Sequence, residues 1–489
     1  MPVSRNSAVR NASSSKSAAA LDRRAFLVAS TAGFAGLRFG TPQLAAAART
    51  AEAAAGGRKS KAKSTILFFL CGGSSHLDMW DLKPDAPLEY RGPFNPIATS
   101  APGLMIGEHL PLTAKQGKHL AIVRSLRGTV NTNDHHAGYY YNLTGHAADA
   151  TFLSLGNNRT PMPDDWPYIG TVVGSRMPPS DGLPNSITLP HMPSRAPYTR
   201  PGQFAARLGI EHDPLYVYGN LDKPLEFQAP ALVLSGDVDA SRLSSRKHLL
   251  STLDGARRDF DGVADKQKWS QLQARALSLL GASQTTAAFD VAGEPQSLRE
   301  RYGQTVNGMS LLLARRLVEA GVPFVTVFWM EDNDKLGKKC KSAGGWDTHG
   351  NNFNCLRDNL LPEFDRGFSA LVEDLSDRGL LDETLLMVTS EMGRTPKIGD
   401  RRSGGIAGAG RDHWTHCQSI VLAGGGIQGG QAYGTTDKRA EYPAEKLVTP
   451  AHIAKTVYHA MGVDDLEGKD KDGRVFNLLA EGEPILDLF

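Results

Sequence analysis

Five short runs combine apolar and β-branched residues with almost no polar alternation: Ser64–Leu70 (STILFFL), His119–Leu126 (HLAIVRSL), Pro323–Trp329 (PFVTVFW), Thr384–Ser390 (TLLMVTS) and Ser419–Ala423 (SIVLA). A strand with one solvated face alternates. Strands without alternation need cover on both faces. Helical spacing separates the later runs. Met309, Leu312, Leu313, Leu317 and Val318 share one face ahead of Gly321, and Leu356, Leu360, Phe364, Phe368, Leu371 and Leu375 share another. Thr449-Pro450 reads as N-cap and N1 of a last helix through Ile453 and Val457 to Gly462. This order predicts an α/β protein: a doubly wound, mostly parallel sheet with helices on both faces.

Two regions fall outside the pattern. Residues about 150–300 include a stretch dense in Pro, Gly and Ser (Thr160–Pro201) and a polar, helix-compatible one (Asp237–Leu280). They read as an insertion or cap over the carboxyl edge of the sheet. At the other extreme, Met1–Ala20 lacks acids. Asp22-Arg23-Arg24-Ala25-Phe26-Leu27 follows, then a weakly apolar run interrupted by Arg38, then small residues at Ala45–Ala48. That is the order of an export signal, and the paired arginines point to the twin-arginine route. An organelle-targeting peptide or a short membrane anchor is the other reading. The expected division is a signal over 1–48, a basic linker over 49–62 and the α/β domain over 63–489. Export places the mature protein in the periplasm or on the cell surface of a bacterium. After signal removal no run of about 20 apolar residues remains to span a membrane.

A net charge of +2 over 489 residues gives no electrostatic case for a nucleic-acid partner. The four cysteines, Cys71, Cys340, Cys355 and Cys417, form no CxxC pair. Cys340 and Cys355 are either a disulfide or free thiols. No GxGxxG follows a strand, and there is no GxSxG elbow. The sequence sets no oligomeric state.

Ligands of open α/β sheets bind beyond the carboxyl ends of the strands, and there the Asp, Glu and His residues gather. The first strand leads into Cys71-Gly72-Gly73-Ser74-Ser75-His76-Leu77-Asp78, and the second into Asn133-Asp134-His135-His136. Asp347-Thr348-His349 follows the third, Glu391-Met392-Gly393-Arg394 follows the fourth, and Arg411-Asp412-His413 precedes the fifth. Carboxylate and imidazole are ligands of divalent metals; Zn, Mn, Mg and Ca are not distinguished by this set. Two ions about 4 Å apart would clamp a phosphoryl or sulfuryl group. Arg394 is either a fork for an oxyanion or a structural ion pair. Tyr139–Tyr141 either stack on a substrate or pack a helix.

The series Asp347-Thr348-His349, Val388-Thr389-Ser390-Glu391 and Gly410-Arg411-Asp412-His413 resembles the alkaline phosphatase and sulfatase superfamily. More closely, Gly72-Gly73, Leu143-Thr144-Gly145-His146, Trp346-Asp347-Thr348-His349 and Glu391-Met392-Gly393-Arg394-Thr395-Pro396 resemble a twin-arginine-exported bacterial branch known only as a domain of unknown function. The resemblance implies an alkaline-phosphatase-like fold and one or two divalent ions. It implies that Asp347, His349 and His413 bind one ion, and that Glu391 binds the second with an acid from the first loop, for which Asp78 is the candidate. Asp134 and Asp412 are further carboxylate candidates. Three departures stand out. His135 occupies the position of the hydroxyl nucleophile, glycines follow the first strand where an acid is usual, and Glu391-Met392 replaces an Asp-His pair. The expected activity is therefore hydrolysis of a small-molecule or polysaccharide phosphate or sulfate ester by a metal-bound hydroxide. His135 or His136 would act as ligand or general base, with Arg394 beside them. A non-catalytic metal-binding or interaction protein on the same fold is the alternative.

Overall fold

The computed structural model describes residues 62–130, 133–178, 183–229, 287–332, 345–399, 410–469 and 473–489. The expected signal, nearly all of the linker, the helix-compatible stretch Asp237–Leu280 and Cys340 lie outside the described residues.

Eight strands form one sheet. In chain order they are β1 (Ser64–Phe69), β2 (Leu120–Leu126), β3 (Ser186–Leu189), β4 (Leu215–Tyr216), β5 (Phe324–Phe328), β6 (Thr384–Thr389), β7 (Gln418–Ala423) and β8 (Gln431–Tyr433). Their spatial order is β8-β2-β7-β6-β1-β5-β3-β4. β1 is central and buried at every residue, parallel to β5 through Ile66–Val325 and to β6 through Ile66–Leu386. The apolar runs predicted this burial.

β7 alone runs antiparallel, to both β6 and β2. No described helix lies between β6 and β7 to carry the chain back across the sheet. β7 therefore starts at the edge where β6 stops. A two-residue ladder pairs Gly393 with Trp414 and Arg394 with His413. This reversal brings Glu391, after β6, and His413, before β7, to the same carboxyl edge.

Part of the stretch expected to be an insertion joins the sheet. β3 and β4 extend it parallel to β5. With four and two residues, these strands are too short for a periodicity signal.

The helices form two packed groups. α3 (Val306–Glu319) packs on α4 (Leu361–Asp377), while α1 (His135–Thr144) packs on α5 (Pro450–Met461), with α2 (Ile169–Arg176) near α5 and β5. Every residue predicted for the apolar face of α3 is buried. α5 begins at Thr449 with a reciprocal cap to His452 and ends at left-handed Gly462, as expected. The predicted single long helix over 356–375 is instead a helix with a wider turn at Leu356–Leu360 ahead of α4. Pro362 has no N–H to donate, and the wide turn ahead of it relaxes the backbone there. Tyr139, Tyr140 and Tyr141 are buried, with Tyr139 centred 4.7 Å from Phe69, so the packing reading holds.

Phe364 on α4 joins the core to the site. It lies 5.8 Å from Phe68 and 5.9 Å from both Trp80 and Trp346. Phe364→Ala is expected to cost about 3–5 kcal/mol in urea unfolding. A loss under 1 kcal/mol would show that this aromatic cluster is not a cooperative part of the core.

Candidate metal centre

Each site loop is pinned by its backbone. Gly72 has φ +122, and a Cβ there would lie 2.3 Å from the Asp347 nitrogen, so only glycine lets the two loops pass. Its own N–H donates to Glu391 Oε1 at 2.8 Å. Trp346 is wholly buried, edge-on to Trp329 at 5.3 Å, and its N–H donates to the Cys71 carbonyl, which anchors Asp347. His135 opens α1, whose first turn is capped by Asp134 accepting from the Ala137 N–H at 2.9 Å.

The side chains then converge. His349 Nε2 and His413 Nε2 are 3.0 Å apart, and each approaches Asp347 Oδ1, at 3.0 and 3.2 Å. The far nitrogens are occupied. His413 Nδ1 is 3.0 Å from the Asn133 carbonyl, and His349 Nδ1 is 3.1 Å from Asp412 Oδ1. A carbonyl and a carboxylate only accept, so both Nδ1 atoms carry hydrogen. Both Nε2 atoms then present lone pairs toward one carboxylate oxygen. Three acceptors at this spacing repel one another unless a proton or a cation sits among them. His135 stands beside this group, its Nδ1–H donating to Glu391 Oε1 at 2.8 Å and its Nε2 3.4 Å from Asp347 Oδ2. His135, Asp347 and His413 form one cluster with metal-ligand spacing; His349, Asp412 and His413 form another. Imidazole nitrogen with carboxylate oxygen suits a borderline divalent ion, and two overlapping clusters suit one ion or two.

Without a cation, protons must hold the balance. Burial opposes a charge on His349, but its hydrogen bonds with Asp347 and Asp412 outweigh that and push its pKa up to about 9. Burial likewise opposes a charge on His135, but Asp347 and Glu391 raise it. Burial pushes the Asp347 carboxyl up, yet Arg394 and the three histidines hold it far below the usual carboxylate range. Burial keeps His413 low, against a raising contribution from Asp347.

Three expected site residues lie outside the cluster, and a fourth, Arg394, meets it through Asp347. Asp78, fully buried, forms a two-pronged pair with Arg411 (2.9 and 3.0 Å) and also accepts from Ser75 Oγ and Asn352 Nδ2. Its oxygens are taken, so it is no ligand here. Asp134 serves as the helix cap. His136 faces away from the cluster, its Nδ1 2.8 Å from the Arg159 carbonyl. Arg394 is fully buried and donates to the carbonyls of Gly72, Gly73, Trp346 and Arg411 and to Asp347 Oδ1. Of its two expected roles, the structural ion pair is the one these bonds make. Arg411 and Gly72 hold site residues in place without being candidate ligands themselves. The signal was the Gly-Arg-Asp-His string and the twin glycines where an acid is usual. Gly72 supplies an N–H to Glu391 instead of a carboxylate to a metal.

Two outcomes test this placement. A divalent ion must displace the His349 proton, so affinity is expected to rise about tenfold per pH unit as pH climbs, levelling off above about 9. Chelator-competition titrations at several pH values measure this; a flat profile from pH 6 to 9 excludes His349 as a ligand. Asp78→Ala leaves the Arg411 charge buried and is expected to cost about 3–5 kcal/mol while leaving metal per chain unchanged. Asp347→Ala is expected to strip the metal, as read by elemental analysis.

Solved structures with low identity align over most of the chain. A quadruple mutant of alkaline phosphatase PafA aligns with 8% identity and TM-score 0.40, over 88% of this chain and 99% of that one. The PsFucS1 sulfatase from Pseudoalteromonas sp. shows 12% and 0.37, over 87% and 73%. The phosphonate monoester hydrolase SpPMH from Silicibacter pomeroyi shows 12% and 0.37, over 82% and 73%. No curated protein matches the sequence. The family model described as "Protein of unknown function (DUF1501)" matches residues 62–489, nearly the whole chain, and the chain belongs to that family.

Proposed function

We propose that this protein is an exported hydrolase of phosphate or sulfate esters that works with one or two divalent cations. The observation that carries the reading is the meeting of His349 Nε2, His413 Nε2 and Asp347 Oδ1 within about 3 Å, a spacing that calls for a proton or a cation among them. Asp347, His349, Asp412 and His413 would hold the cation, with His135 at its side. A bound divalent ion supplies Lewis acidity to an ester oxyanion. The sequence resemblance to the alkaline phosphatase and sulfatase superfamily supports the ester class, and the paired arginines near the start support export.

His135 stands where a hydroxyl nucleophile is expected, so water is the nucleophile in this reading. Glu391 fixes the His135 ring through Nδ1 and leaves Nε2 facing the cluster. That makes His135 the group that passes a proton to or from the reacting oxygens. Gly72 N–H and the Ser390 hydroxyl, 2.8 and 3.0 Å from the Glu391 oxygens, keep the carboxylate in place. The missing hydroxyl also favours a second reading, a metal-binding protein on this fold without hydrolysis.

Protein purified without chelator is expected to carry near-stoichiometric metal and to cleave a nitrophenyl phosphate, phosphodiester or sulfate. His135→Gln should lower kcat by about 10²–10⁴ while keeping the metal. Metal retained with no cleavage of any of the three esters selects the binding reading. No metal at all removes both.

A further inference from the structure

Three buried nitrogens near α1 have no hydrogen-bond partner among the described residues: His136 Nε2, His191 Nδ1 and Arg200 Nη1. They come from two distant segments. His136 is on α1, wholly buried. His191 and Arg200 flank a small hairpin of the inserted stretch, Ser194–Arg195 paired with Tyr198–Thr199. Buried Gln203 clamps the base of that hairpin, donating to the carbonyls of Pro193 (2.9 Å) and Arg200 (2.7 Å). Gly202 seats it against α1, where a Cβ would lie 2.8 Å from the Tyr140 Cα. The Arg200 guanidinium thus rests over the Tyr139 ring, 4.7 Å from its centre. Phe328 lies against both Tyr139 and His191, at 6.2 and 6.3 Å.

Among the described residues, Arg200 is a cation held in place without a carboxylate partner. Its charge reaches Glu331 and Glu391, yet it forms no ion pair with either. A metal is disfavoured beside that charge. An anion is favoured, since a fixed guanidinium offers unspent donors. His136 adds a different demand. Its Nδ1–H donates to the Arg159 carbonyl at 2.8 Å, so its bare Nε2 is an acceptor and requires a donor from the ligand.

We propose that Arg200, His191 and His136 form a binding subsite, beside the metal centre, for an anionic oxygen group that carries a hydroxyl next to its charge. Hydrogen phosphate and an acidic sugar share this chemistry. The anion accepts from Arg200, and the hydroxyl donates to His136 Nε2. The subsite stands without a metal and without ester hydrolysis.

Calorimetric titration of the full chain tests it at neutral pH. Inorganic phosphate is expected to bind wild type and His413→Ala alike. Arg200→Gln is expected to weaken it about tenfold or more, with Arg200→Lys between. Sulfate, equal in size and charge but without O–H, is expected to bind more weakly than phosphate. Competition by D-glucuronate assigns the subsite to acidic sugars; phosphate binding without such competition assigns it to inorganic phosphate. Wild-type phosphate affinity in an Arg200→Gln protein with unchanged melting overturns the proposal. So does binding lost in His413→Ala and kept in Arg200→Gln, which places phosphate at the metal centre. If Arg200→Gln does not fold, wild-type affinity in both Arg200→Lys and His191→Asn is the overturning result. Metal content and ester cleavage play no part in these readouts, so the subsite and the hydrolase reading fail separately.

Discussion

Arg394 spends its guanidinium on the carbonyls of Gly72, Gly73, Trp346 and Arg411 and on the Asp347 carboxylate, all out of water. Those acceptors belong to the loops after β1 and β5 and before β7, while Arg394 itself follows β6. One side chain therefore ties four strand ends to one another. The bond to Asp347 also fixes the oxygen that His349 and His413 approach. A second buried arginine repeats the device one layer away, where Arg411 grips Asp78 and the carbonyls of Tyr90, Thr395 and Pro396. Buried charges of this kind are costly unless fully paired, and removing one partner strands the other. The precision of the metal cluster is inherited from these two side chains.

The cluster itself is short of positive charge. Asp347, Asp412 and Glu391 are all held in their charged forms; among the described residues the Arg394 guanidinium is paired with Asp347, and the Arg200 charge reaches Glu391 without an ion pair. Protons on His349 and His135 supply the remainder while no cation is present: Asp347 with Asp412 raises the first and Asp347 with Glu391 the second, both against burial, whereas burial, with Arg394 and His135 behind it, keeps His413 low. A divalent ion satisfies the same need with one body instead of two protons. Metal binding and proton release are therefore two descriptions of one electrostatic requirement.

Most of the sheet was legible because its strands lie between two helix layers, and burial on both faces leaves a continuous apolar run. The helix caps Thr449 and Gly462 were legible for a local reason, since capping depends on neighbours in sequence. The edge strands Ser186–Leu189 and Leu215–Tyr216 were not, because pairing to an existing edge needs few residues and no pattern of its own. The site divides along the same line. Asp347, His349, Asp412 and His413 announce themselves by residue type at strand ends, and they meet. Asp78, Asp134 and His136 have the same credentials and go to other partners, while Arg394 joins the cluster through Asp347. What separates the two groups is which acceptor or donor lies opposite in space: Ala137 is close in sequence to Asp134, whereas Arg411, Arg159 and Gly72 are distant in sequence from Asp78, His136 and Arg394. The reversal of β7 is the clearest case, for it follows from the lack of a described crossover helix after β6 and not from any residue within β7.

The proposed anion subsite depends on how the inserted stretch joins the sheet. Its strands lengthen the sheet beyond β5, so its connecting hairpin must pass along the carboxyl edge to do so. That route carries His191 and Arg200 past α1, the helix that presents His135 to the cluster on one side and His136 on the other. Consecutive residues at a helix start point about 100° apart. Adjacent histidines at this position therefore face different chemistry: a carboxylate-rich cluster that calls for a cation, and an unpaired guanidinium that calls for an anion. A ligand bridging the two would be oriented by opposite charges at its ends, and α1 is the element that sets the distance between them.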